Sequence, residues 1–498
     1  MIAANATLPV LVNDVHSKLN ATQVSEVFRP QSLDELQRFV RHCARDRRSI
    51  SISGGRHAMG GQQFATNAAL IDTRPLNRVL HFDRAGGTVE VEAGIQWPEL
   101  VRYLVEVQDG EREQWGIAQK QTGADRLTIG GALSANVHGR GLRMKPFVAD
   151  VQSFTLVDAD GEFQTCSRRS NAELFRLAVG GYGLFGVIYS VKLHLTRRQK
   201  LRRVVKVIDV ADLPAMFEQR IREGFLYGDF QFAIDPKSDD FLRKGVFSCY
   251  QPVAQETPMP EVSRQLDEKD WSQLVHLAHV DKSRAFEHYA AHYLATDGQV
   301  YWSDLHQLSV YVDGYHDAVS HRCGGSSASE MITELYVPRA ALPAFMASTA
   351  KALREEDASV IYGTIRHIEK DDETFLPWAK ESYACVIFNL HVEHTALGLL
   401  DAARSFRRLI DIALGFGGSF YLTYHRWATA EQVAAAYPQF EQFLWSKRAH
   451  DPEERFVSDW YRHYKMLFAQ RQRTRQGTPK EQFVSLRTRE LEQAGVAL

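Results

Sequence analysis

The sequence predicts a two-domain protein of the α+β class, and three observations carry that reading. The chain has 498 residues, more than one hydrophobic core usually serves. Its first part, to about residue 198, mixes short strands with a few helices. From about residue 200 a strand–helix–strand unit recurs, the pattern of a sheet covered by helices on one face.

The elements follow in order. Ser32 opens "SLDELQRFVRHCARD" with Glu35 three residues later, a capping box, and Leu33, Leu36, Val40 and Cys43 form a helical stripe. That helix leads into a strand in which Ile50 and Ile52 alternate with Ser49, Ser51 and Ser53. In "GTVEVEAG", Val89 and Val91 alternate with Glu90 and Glu92, a half-buried strand. "VQSFTLVDADGEFQTCS" carries a turn at Asp158 to Gly161 and reads as a hairpin. "NAELFRLAVGG" is an amphipathic helix and "GVIYSVKLHL" the strand after it.

The later part holds the recurring units: "RVVKVIDV", "LPAMFEQRIREG" and "LYGDFQFAID"; then "EMITELYVP", "ALPAFMASTAKALREE" and "ASVIYGTIRHIE"; then "YACVIFNLHV", "LLDAARSFRRLIDIALG" and "SFYLTYHRW". The uncovered face of such a sheet is free to roof a cleft. Residues 255–325 between the first two units read as an irregular, polar excursion, and the charged segment 470–493 as surface or oligomer contact.

Composition narrows the function. Lys and Arg total 59 against 61 Asp and Glu, so no basic field exists to hold a nucleic acid. Five scattered cysteines, an odd number without a Cys-x-x-Cys pair, argue against a disulfide framework or a zinc site and fit a reducing compartment. The early apolar run "LPVLV" is too short for a signal-peptide core, and no stretch nears ~18 consecutive apolar residues. A soluble, cytoplasmic protein with no membrane partner and no metal is expected.

Three glycine-rich loops carry the chemistry. "GYGLFG" places Gly181, Gly183 and Gly186 in a Gly-x-Gly-x-x-Gly pattern, but a helix enters and a strand leaves, the reverse of what a dinucleotide-binding turn needs. A nicotinamide site is rejected on that order. The other loops are "SGGRHAMGGQ", from Ser53 to Gln62, and "TIGGALSANVHGRG", from Thr128 to Gly141. Glycines let backbone approach an anionic or planar ligand closely, and their N–H groups form anion-binding nests. Three such loops in one domain point to a long ligand.

In their order, these loops and "RPQSLDELQRFVRHC" before them resemble the FAD-binding domain of the vanillyl-alcohol oxidase and p-cresol methylhydroxylase superfamily over residues 25–195. The resemblance implies an α+β FAD-binding domain (1–198), a substrate domain on a helix-covered antiparallel sheet (199–427) and a C-terminal segment (428–498) returning to the first domain. It implies FAD contacts from Ser53, Gly54, Gly55, Arg56, His57 and Ala58, and from Met59, Gly60, Gln62 and Thr122. The second loop would add Gly130, Gly131, Ser134, Asn136, His138 and Gly139, and the third Gly181, Gly186, Val187 and Ile188. In many members a histidine at the position of His57 is bonded to the flavin, which raises its potential. His57 is read as that residue, the alternative being a hydrogen bond to pyrophosphate; Ala58 replaces the serine that commonly follows. "QTGADRLTIGG" holds no cysteine for a second bond.

"NVHGRG", "TELYVP", "TIRHIEKDDETFLP" and "YHRWATAEQVAAAYPQFEQFLWSKRAHDPEERF" are similar to the alditol and aldonolactone oxidase branch. That branch has a Glu-x-Arg on a strand and a lysine after a His-Trp pair; here Thr364 precedes Arg366 and "HRWAT" lacks the lysine. The departure speaks against a sugar lactone or simple alditol and leaves a hydroxylated carbon donor, with oxygen or another acceptor taking the electrons. Oxidation needs a cation or donor to steady the reduced flavin, the part given to Arg366, and a base sought among His391, His425, Tyr424 and His138. "LHQLSVYVDGYH", with Asp304, His306, Gln307, Tyr311 and His316, is a candidate cleft wall. Tyr301, Trp302 and Trp427 leave an aromatic donor open, and transferase or lyase chemistry on the same fold, as in alkyl-dihydroxyacetone-phosphate synthase, stays an alternative.

Overall fold

A computed structural model describes residues 9–310, 314–315, 320 and 327–476, with the side chains of 475 and 476 left aside. Tyr311, His316, Cys323 and most of the charged C-terminal segment lie outside the described residues.

Among the described residues, the N-terminal part is built on a three-stranded and a five-stranded sheet, with two-stranded pairings at Val10–Val12 with Thr22–Val24 and at Trp115–Gly116 with Thr196–Arg197. β1 (Glu26–Phe28), β2 (Ile50–Ser53) and β3 (Ala69–Asp72) form a parallel sheet with β3 in the centre. α1 (Leu33–Arg45) joins β1 to β2; its N-cap Ser32 accepts the Glu35 N–H, and Leu36, Val40 and Cys43 bury against the sheet as the stripe predicts. The second sheet holds β4 (Val79–Asp83), β5 (Thr88–Glu92), β6 (Val151–Val157), β7 (Phe163–Ser167) and β8 (Val187–His194), paired antiparallel in the order β7-β6-β8-β5-β4. β6 and β7 are the expected hairpin. α2 (Trp97–Val107), α3 (Ile129–Ala135) and α4 (Ala172–Ala178) complete this part.

The rest centres on an eight-stranded sheet. Its strands are β9 (Lys200–Asp209), β10 (Tyr227–Phe232), β11 (Lys244–Val253), β12 (Val300–Trp302), β13 (Ala328–Pro338), β14 (Val360–Ile368), β15 (Tyr383–Glu393) and β16 (Ser419–Phe420). They run in the order β12-β9-β11-β10-β14-β15-β13-β16, with every neighbouring pair antiparallel. α5 (Leu213–Arg222), α8 (Leu342–Glu355) and α9 (Ala396–Gly415) are the helices of the three units. Phe217 of α5 lies against Phe247 and His367, which fixes one face as the helix-covered one. The α+β, helix-covered antiparallel architecture agrees with the expected fold class.

Residues 255–325 correct the expectation of an irregular excursion. They contain α6 (Glu268–Val280) and α7 (Lys282–Leu294), which cover part of the opposite face through Trp271, Leu274, Phe286 and Tyr289 packed on Val205 and Val246. α6 starts at a capping box between Asp267 and Asp270. "SFYLTYHRW" is a strand only over Ser419–Phe420, and β11 belongs to the first unit without having been read there. After α10 (Ala430–Ala436) and α11 (Phe440–His450), Arg455 and Val457 exchange backbone hydrogen bonds with Ile50 of β2, and α12 (Asp459–Gln476) follows.

Candidate active site

Two cavities meet between the N-terminal part and the eight-stranded sheet. The first encloses about 1200 Å³, part of it open to solvent, and its wall includes all three glycine loops. The second, about 2460 Å³ on the same measure, opens over the face of the large sheet opposite α5. His16, Gln121, Thr122, Gly123, Ile332 and Tyr424 border both.

β2 delivers the first loop. Its hydrogen bonds end at Ser53, and the chain turns back under Arg56, which sits at φ 61°. A Cβ on Gly55 would lie 2.1 Å from the Arg126 carbonyl oxygen, so only glycine lets the segment before α3 come this close. Gly186, at φ +147°, faces a similar limit against the Val157 carbonyl. Asp72 at the end of β3 holds Arg56 at 3.5 Å and Arg74 at 2.5 Å. Burial alone would raise this carboxyl, but the hydrogen bonds and charge of Arg74, with the charge of Arg56, outweigh it and keep Asp72 ionised.

Of the expected FAD residues, Gly54, Gly55, Arg56, His57, Ala58 and Gln62 line the first cavity. So do Thr122, Gly130, Gly131, Ser134, Gly186 and Ile188. The remaining eight lie behind that wall. Ser53 and Val187 are strand residues in the core, Met59 is buried, and Gly60 donates its N–H to the Thr423 carbonyl. Gly181 packs against the Leu177 carbonyl. Asn136 donates to Asp371, and Gly139 takes part in the local bonding of His138. His57 is 7% exposed; its Nδ1 lies 2.8 Å from Nε2 of His16, and it bonds the Arg126 backbone. Burial, then the charges of His16 and Arg126, hold its pKa well below the usual imidazole range.

The chemistry of the first cavity fits FAD. Gln121 Oε1, Thr122 Oγ1 and Arg56 Nε all belong to wall residues, are buried, and have no hydrogen-bond partner among the described residues. Buried polar groups need partners, and these supply donors and acceptors for a polar ligand beside glycine backbone and the apolar Ile52, Leu127 and Ile188.

The candidate catalytic side chains separate. Arg366 on β14 is 3% exposed, lines the second cavity, and its Nε and Nη1 have no partner among the described residues. Tyr424 borders both cavities and donates its hydroxyl to Glu334 Oε2 at 3.1 Å. His138 faces the other carboxylate oxygen of Glu334 at 2.5 Å. Burial would raise Glu334, yet His138, with hydrogen bonds from His138, Tyr336 and Cys385, holds it down at about 2. Burial and then the charge of Glu334 push Tyr424 well above the usual phenol range, so it is a protonated donor at neutral pH.

His425 is not on either wall. It packs against Phe406 and Trp427, and burial and then Arg407 lower it to about 3. His391 reaches the cleft face of β15 but meets His279 of α6. His306 lies on the cleft wall between Tyr227 and Tyr250, whereas Asp304 pairs with Arg198 and Gln307 bonds the Lys120 backbone. Sequence reasoning missed Glu334, His16 and Thr423. A glutamate inside the apolar run of β13 was the available signal for the first; the others had none.

Residues 24–167 match the family described as FAD binding domain, and the chain is similar over part of its length to named oxidases and dehydrogenases. Those relatives include L-gulonolactone oxidase of Bos taurus, 30% identical over 167 residues, 33% of this chain and 36% of the relative. Cytokinin dehydrogenase 3 of Oryza sativa is 30% identical over 172 residues, 33% and 31% of the two chains. An uncharacterized oxidoreductase of the fasciation locus in Rhodococcoides fascians is 28% identical over 238 residues, 46% and 50%. The chain thus spans between about a third and half the length of these relatives. No helix among the described residues is long and apolar enough to cross a membrane.

Proposed function

We propose that this protein is an FAD-dependent oxidoreductase that oxidises a hydroxylated carbon donor, with oxygen or another acceptor taking the electrons. The observation that carries the reading is Arg366, a buried guanidinium with two nitrogens that have no partner among the described residues, on the wall of a cleft that joins the glycine-loop cavity at Tyr424. When bound, FAD supplies the two-electron acceptor. The glycine loops and Arg56 hold its anionic part, and His57 is the residue for a covalent bond to it. Arg366 steadies the negative charge that grows as electrons arrive.

Tyr424 positions the donor. Its hydroxyl oxygen takes the proton of the donor's O–H while its own proton passes to Glu334, and the donor's C–H bond breaks with its hydride going to the bound two-electron acceptor, so that the carbon–oxygen double bond forms. The cleft is large for a simple polyol, and Trp271, Tyr289, Tyr293, Tyr301, Trp302 and Tyr362 stand in its wall. These rings support a second reading, in which the hydroxyl belongs to an aromatic alcohol or to a donor with an aromatic substituent.

The test is an anaerobic screen of polyols, sugars, lactones and aromatic alcohols against the purified flavoprotein, followed by absorbance. Loss of the oxidised-flavin bands with at least one donor is expected. An oxidised spectrum that survives every donor overturns the oxidative reading and favours transferase or lyase chemistry.

A further inference from the structure

A second polar cluster opens on the cleft away from Arg366. Glu330 of β13 and His391 of β15 are direct cross-strand partners, so their side chains leave the same face of the sheet. α6 brings His279 onto that face, with its Nε2 2.8 Å from Glu330 Oε1 and its ring centroid 5.1 Å from that of His391. One donor atom from each of the three residues lies within 4.8 Å of the others.

We propose that His279, Glu330 and His391 form a binding site for a divalent transition-metal ion of the zinc class. Zinc takes imidazole nitrogen and carboxylate oxygen at about 2.0–2.2 Å, which for a tetrahedral shell puts donors roughly 3.3 Å apart. The His279–Glu330 pair is already inside that spacing, and a donor atom of His391 lies within 4.8 Å of both. Glu330 is 5% exposed and forms part of the cleft wall, so the site is sheltered on the sheet side and reachable from the cleft. A water or an oxygen of a bound molecule completes the shell there, which leaves the open position usual for a reactive zinc.

The other cluster of metal-ligating side chains among the described residues, His138, Glu334 and Cys385, is fully buried, and its Glu334 is already bonded to His138, Tyr336 and Tyr424. It offers no route and no free position. The ligand spacing of the new site could not be read along the chain, because its members come from a helix and two strands, 51 and 61 residues apart in steps from 279 to 330 to 391.

The experiment is zinc binding to the full-length flavoprotein, freed of any histidine tag and stripped by chelator. Titration calorimetry with zinc chloride and metal analysis after gel filtration should give one ion per chain. Glu330→Gln and His391→Ala should each weaken binding by ~100-fold or more, while exposed His288→Ala leaves it unchanged. Cobalt(II) in place of zinc should show visible bands of a low-symmetry, nitrogen-ligated ion that vanish in His391→Ala. Wild-type protein that retains no zinc overturns the proposal whatever the variants do. So does zinc held equally well by properly folded Glu330→Gln and His391→Ala. None of these readouts depends on turnover, so they test the site independently of the redox function.

Discussion

The hydroxyl of Tyr424 donates to Glu334 across 3.1 Å, and that single bond joins the wall shared by both cavities to a buried carboxylate that His138 also holds. The tyrosine is thereby fixed with its oxygen at the place where the two cavities meet. Removing the hydroxyl in Tyr424→Phe keeps the ring and its packing. Flavin reduction by a donor, measured in stopped flow, should slow by ~10²-fold with FAD content unchanged. An unchanged rate would make Tyr424 a wall residue only.

Arg366→Ala should lower the same rate by ~10²-fold or more, the size of effect seen when one electrostatic stabiliser is lost. The protein should fold at least as well, because a buried guanidinium whose nitrogens lack partners among the described residues costs stability. Arg366→Lys should recover part of the rate.

Glu334 makes stability depend on acid. Its carboxyl sits at about 2 in the folded chain against an ordinary 4.5, so the folded state binds its proton less readily than the unfolded state does. The stabilisation is fully present above pH 4.5 and is lost as pH falls through about 2. Urea midpoints should drop steeply across that window, and Glu334→Gln should flatten the drop while lowering stability at neutral pH. Equal acid sensitivity in wild type and variant would remove Glu334 from this role.

His57 decides how the cofactor is attached. Acid-precipitated wild-type protein should keep its yellow colour in the pellet and yield a flavin-bearing peptide around His57, whereas His57→Ala should release FAD into the supernatant. Flavin that leaves the wild type wholly on precipitation rules out the covalent bond but not the cavity. Ala58, in place of the usual serine, would then be the first residue to exchange.

Much of this arrangement was legible in the chain. The order of the glycine loops is a local property, set by residues whose lack of a Cβ is visible in the sequence, and the walls of the first cavity follow it. The strands of the three later units were legible because alternation survives burial on one face, as in β14, where Tyr362 and Arg366 face the cleft and Ile365 the helices. What stayed hidden is set by register between distant segments. Tyr424 meets Glu334 across 90 residues and His57 meets His16 across 41, and no periodicity encodes either contact. α6 was hidden for a different reason: its apolar residues are broken up by polar ones such as His279, which holds Glu330, so its capping box at Asp267 was the better signal. His425 misled because an imidazole read as part of a strand looks the same in sequence whether it faces a cavity or, as here, lies beyond the strand against Phe406.

The central claim is that the cavity walled by the three glycine loops holds FAD, and the most direct measurement is the flavin absorbance of the purified protein against its chain concentration. The account predicts a yellow protein with one FAD per chain, and loss of that flavin when Gly55→Val fills the space beside the Arg126 carbonyl. A colourless protein that remains colourless after incubation with FAD would contradict it.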